Sequence, residues 1–96
     1  MTRYSKGRRF EYEVKKKFER AGFFCVRSAG SHGVFDLLCV RNGIPWGVQC
    51  KIGKVSEEEK RKIIETGKKY GIVPCLATKK DKKVVVVNLL NGREIL

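Results

Sequence analysis

The dipeptide Asn42-Gly43, with an apolar run on either side, constrains this chain more than any other feature. Asn-Gly readily takes the positive φ angles of a tight hairpin, so Val34–Val40 and about Trp46–Ile52 are predicted to be adjacent antiparallel strands. The remaining elements must be arranged around that hairpin. Ahead of it, Phe10, Val14, Phe18 and Ala21 recur at spacings of four, four and three, which predicts a helix over Lys6–Ala21. Gly22 is a natural stop, Phe23–Val26 is a short strand, and Ser28–Gly33 is a small polar loop. Behind the hairpin, Ser56-Glu57-Glu58-Glu59 is a capping box, with Ser56 accepting a backbone N–H and Glu59 reaching back. A second helix should run from about Glu57 to Tyr70 and end at Gly71. Val73–Thr78 and Lys83–Leu89, joined by a Lys79–Lys82 turn, complete the order αβββαββ. That order implies an α/β fold in which a mixed central sheet is flanked by helices. With no repeat, linker or break in composition, residues 1–96 are expected to form a single domain.

The 22 Lys and Arg against 10 Asp and Glu give a net charge of +12. A polyanion is the expected partner, because each cation that neutralises a phosphate releases condensed counterions; binding should weaken steeply with salt. No apolar run approaches the roughly 18–20 residues that span a bilayer, and the N-terminus leads into charge. A soluble, cytoplasmic protein with no membrane partner is expected. Cys25, Cys39, Cys50 and Cys75 are widely spaced within apolar stretches, without a CxxC pair and with one His in the chain. They read as buried strand thiols rather than zinc ligands or disulfides.

Asp36 lies in a strand whose other residues are almost all apolar, and a buried carboxylate normally needs a partner or a metal. On the next strand the period of two puts Gln49 and Lys51 on one face, with Val48, Cys50 and Ile52 on the other. A regular hairpin would let Asp36, Gln49 and Lys51 converge. Glu11 borders the apolar face of the first helix and could join them. Carboxylate and amide oxygens suit a hard cation such as Mg2+ or Mn2+, and a lysine can stabilise charge building on a phosphate. Taken alone, Glu11 reads as an ordinary i,i+4 partner of Lys15, Asp36 as a carboxylate paired with Lys51, Gln49 as a polar strand residue and His32 as a solvated loop residue.

Glu11 in a helix, Asp36 at a strand and Gln49-x-Lys51 on the next strand resemble the PD-(D/E)xK motif of the restriction-endonuclease-like fold. From about Tyr4 to Ala77 the resemblance narrows to the archaeal Holliday-junction resolvases. It is carried by Lys6-Gly7, Phe10-Glu11, Gly22-Phe23, Arg27-Ser28-Ala29-Gly30-Ser31 and Asp36-Leu37. The resemblance implies a metal-dependent endodeoxyribonuclease that works as a homodimer, resolving four-way junctions by paired symmetric nicks that leave 5′-phosphates. It implies Glu11, Asp36 and Gln49 as metal ligands, Lys51 as the motif lysine, and Ser28 or Ser31 near the scissile phosphate. Arg27 would then contact DNA, and Lys6, Arg8, Arg9 and Lys54 are placed where phosphate binding is plausible; His32 could also reach a phosphate. No small-molecule cofactor is expected. The chain departs from the motif at Gln49, where a Glu is usual, which removes one negative charge and predicts weaker metal binding. It also ends at Leu96, where family members commonly carry more sequence that could supply dimer contacts. Two alternatives stand beside this reading: a restriction-like or repair nuclease acting on other DNA, and a non-catalytic basic DNA-binding module.

Overall fold

The computed structural model describes residues 3–28 and 33–96, with side chains from Gly7 onward. The elements are α1 (Arg3–Arg20), β1 (Phe24–Arg27), β2 (Leu37–Arg41), β3 (Ile44–Cys50), α2 (Glu57–Tyr70), β4 (Val73–Lys80), β5 (Lys83–Asn88) and β6 (Arg93–Glu94). They form one six-stranded sheet in the order β1-β2-β3-β4-β5-β6. Neighbours are antiparallel except β3 and β4, which run parallel and are joined by the α2 crossover.

The apolar spacing of α1 places Phe10, Val14 and Phe18 against Cys25, Leu37, Cys39, Val48, Cys75, Ala77 and Val86 in one core. Alternation along β4 sends Pro74 and Leu76 to the opposite face, where α2 packs. At that contact the Gly67 Cα lies so close to the strand that an added Cβ would stand 2.5 Å from the Ile72 carbonyl oxygen. Ser56 caps α2 by accepting from the Glu59 amide at 3.1 Å. The Glu59 carboxylate, expected to reach back to the cap, instead lies 3.6 Å from Lys51 Nζ.

Asn42 (φ 53°) and Gly43 (φ 75°) form the two-residue turn that the sequence predicts, so β3 begins at Ile44, two residues earlier than expected. The β4–β5 turn is likewise two residues, Asp81 (φ 49°) and Lys82 (φ 65°), which lengthens β4 to Lys80. It carries no glycine to mark it. The sequence order αβββαββ lacks β6, a two-residue strand that pairs with Val87 and Asn88 and is too short to show periodicity. Cys25, Cys39 and Cys75 are buried free thiols as expected, while Cys50 is partly exposed.

β2 starts at Leu37 rather than Val34. Leu37 is the register partner of Val48, yet the Asp36 amide also donates to the Val48 carbonyl at 2.8 Å. Two residues therefore face one, which is a β-bulge. The Asp36 carbonyl meanwhile turns to β1 and accepts from the Ser28 amide at 2.8 Å.

Candidate active site

The bulge decides where the Asp36 carboxylate goes. Beyond Val48, the next amide of β3 that faces β2 belongs to Cys50, and in an unbroken ladder a backbone carbonyl would accept it. Here the Asp36 side chain does so, with Oδ2 2.9 Å from the Cys50 nitrogen. Asp36 thus ends the β2–β3 ladder with a carboxylate, and at 9% exposure it is the one buried polar or charged residue among those described.

Glu11 reaches the same neighbourhood from α1. Burial, foremost, raises the Asp36 pKa; the Cys50 amide lowers it, the Glu11 charge raises it and Arg27 lowers it. Burial also pushes the Cys50 thiol up, with Asp36 and Glu11 adding to the effect. The Glu11 charge therefore acts on Asp36 and Cys50 at the end of β3. Glu11 is half-buried and is paired with Arg27 rather than Lys15, its Oε1 2.9 Å from Arg27 Nη1. Lys15 pairs with Glu19. The Arg27 guanidinium also lies over the Tyr12 ring at 4.8 Å.

Gln49 is the β3 register partner of Leu76 and is half-buried. Lys51 follows β3 directly; its amide donates to the Ala77 carbonyl at 2.9 Å and its ammonium sits by Glu59. The pairing of Asp36 with Lys51 that these residues taken alone would suggest is replaced by two separate anchors, the Cys50 amide for the carboxylate and Glu59 for the lysine. Arg8 and Arg9 are exposed on α1, and Ser28 and Lys54 are exposed beside β1 and ahead of α2. The Lys6 side chain, Ser31 and His32 lie outside the described residues.

Tyr12, Cys50 and Glu59 are parts of this site that the sequence reading missed. Cys50 contributes a backbone amide, which no residue pattern reports. Glu59 had a signal, its place in the capping box, that pointed to a different partner.

The carboxylates of Glu11 and Asp36 offer oxygen donors and burial keeps the Cys50 thiol protonated, while Gln49 lies on the sheet face that Leu76 shares. Among the described residues no three His, Cys, Asp or Glu side chains gather as a metal centre. The Glu11 charge raises the cost of ionising Asp36, and a divalent hard cation held there would relieve it.

A model of the archaeal Holliday junction resolvase (Hjc) family matches residues 2–95. The chain belongs to that family. Among Hjc relatives, the crossover junction endodeoxyribonuclease Hjc of Methanocaldococcus jannaschii is 35% identical over 91 residues, which cover 90% of this chain and 68% of the relative. Among solved structures, Hjc of Archaeoglobus fulgidus, a Holliday junction resolvase, superposes with a TM-score of 0.73 at 21% identity, covering 88% of this chain and 74% of that one. The bacterial homing endonuclease I-Ssp6803I superposes at 0.64 with 17% identity, covering 95% and 68%. These likenesses bear out the restriction-endonuclease-like mixed sheet of this Hjc-family chain. No helix among its described residues is long and apolar enough to cross a membrane.

Proposed function

We propose that this chain is a metal-dependent, structure-selective endodeoxyribonuclease that resolves four-way DNA junctions by paired symmetric nicks. The observation that carries the reading is the buried Asp36 carboxylate held on the Cys50 amide, with the Glu11 charge acting on it, in a chain of the resolvase family. Nucleases of this fold generally use divalent metals. Glu11, Asp36 and the Gln49 amide would hold Mg2+ or Mn2+, which supplies charge stabilisation at the phosphate and a more acidic bound water. The Cys50 amide fixes the Asp36 carboxylate, and burial around it keeps water from competing for that oxygen. Lys51, steadied by Glu59, offers its ammonium to charge building on the phosphate. Arg27 neutralises Glu11 and, with Arg8, Arg9, Ser28, Ser31, His32, Lys6 and Lys54, would contact backbone phosphates, which position DNA without reading its sequence.

A homodimer would match the two-fold symmetry of a four-way junction and place one site on each of two strands. Support comes from the face of β1 and β2 turned away from α1, where Phe24 is 72% exposed, Val26 46% and Leu38 36%. Apolar residues grouped on one face mark an association surface, and we assign it to the second copy.

Cleavage of a labelled immobile junction with Mg2+ or Mn2+, wild type beside Asp36→Ala, tests the function when nicks are mapped in all four strands. Symmetric nicks that vanish in the variant are expected. Tight junction binding without nicks under either ion would replace the nuclease with a binding module, a reading that the missing charge at Gln49 favours. Equal cutting of plain duplex would point instead to a restriction-like or repair enzyme.

A further inference from the structure

Cys25 on β1 and Cys39 on β2 are register partners, and their Sγ atoms lie 2.7 Å apart. The hairpin turn identifies what kind of pair this is. It closes on Arg41 and Ile44, so Arg41, Cys39 and Leu37 direct their backbone groups to β3. Cys39 therefore meets Cys25 as a non-hydrogen-bonded pair, the type that holds Cα atoms about 4.5 Å apart with the side chains closest. That spacing lies within the window of about 4.4–6.8 Å that a disulfide requires. The other two thiols lack this arrangement, since Cys50 pairs with Ala77 and Cys75 with Val48 on one side and Asn88 on the other.

We propose that Cys25 and Cys39 are an oxidisable pair, which a small-molecule disulfide converts into an internal disulfide joining β1 to β2. The Cys25 thiolate, on the outermost strand, attacks one sulfur of the small disulfide and releases its partner as a thiolate. Cys39, deprotonated, then displaces the second small thiolate. Two protein thiols are oxidised, one small disulfide is reduced to two thiols, and the two protons pass to the released thiolates. Burial pushes both thiols above their ordinary range, so exchange is slow at neutral pH and quickens as pH rises. The closed form would tie together the two strands that bracket residues 28–36, the approach to Asp36.

The test uses the full chain, refolded from denaturant in oxidised glutathione at mildly alkaline pH and in a parallel reducing buffer. Intact mass should show the loss of two hydrogens, and peptide mapping should link Cys25 to Cys39 while Cys50 and Cys75 remain alkylatable. The oxidised form should melt higher by on the order of 10 °C, an increase that a reducing thiol removes. Cys25→Ala and Cys39→Ala should each lose the redox-dependent shift, and Cys75→Ala should keep it. Four alkylatable thiols, glutathione adducts without a cross-link, or a link between any other pair would overturn the proposal. The mass readout on wild type holds even where a variant folds poorly.

Discussion

At Asp36 the carboxylate is buried beside Glu11, and burial raises its pKa more than the Cys50 amide and Arg27 lower it. A raised folded pKa means that the native state holds this proton more tightly than the unfolded chain. The favourable contribution is complete below the ordinary carboxylate value and is lost as pH rises through the folded pKa. Asp36→Asn should therefore melt above wild type at neutral pH, with the difference closing as pH falls below the ordinary carboxylate value. Melting curves from acid to neutral pH check this. The same variant should lose roughly 100-fold or more in junction cleavage, a trade of function for stability. Gln49→Glu would supply a third carboxylate and should tighten Mn2+ binding by roughly tenfold in calorimetry; lost binding would remove Gln49 from the site. Asp36 was legible because a carboxylate in an apolar strand demands a reason. The partner of Glu11 was not, because helical spacing reports Lys15 four residues on, whereas the ion pair forms with Arg27 across the fold.

Among the elements, α2 and β4 meet where there is no room for a side chain at Gly67. Gly67→Ala should destabilise by about 1–3 kcal/mol, since the atoms nearest the new methyl are the Ile72 carbonyl and the Pro74 ring. Gly7→Ala on α1 meets nothing within 4 Å and should stabilise by about 0.5–1 kcal/mol. Denaturant titration of the pair separates crowding from helix propensity. Apolar patterning revealed α1 and the first five strands, and the capping residues placed α2 to the residue. It could not reveal the bulge, which shifts the start of β2 and carries Asp36 to the Cys50 amide, because one extra residue leaves the apolar pattern of Leu37–Val40 intact. β6 depends on its neighbour for definition, and the Asp81-Lys82 turn takes positive φ without the glycine that usually announces it.

For the whole molecule, a net charge of +12 makes association of two copies costly unless apolar contact offsets repulsion. Val26→Lys, on the exposed β1–β2 face, should weaken a homodimer by roughly 10–100-fold, measured by sedimentation across a concentration series. A monomeric wild type would remove that surface from the reading. The described residues of the candidate active site, apart from Glu59, all precede α2, and this has a kinetic consequence. The hairpin through Asn42-Gly43 closes over two residues, whereas β3 can pair with β4 only after the chain has travelled through α2. Local contacts form early, and parallel pairing across a crossover forms late. The bulge that seats Asp36 belongs to the early step. The bonds that seat Lys51, from its amide to Ala77 and from its ammonium to Glu59, belong to the late one. On this ordering the Asp36 carboxylate is expected to be seated before Lys51, with the docking of α2 bringing the lysine to Glu59.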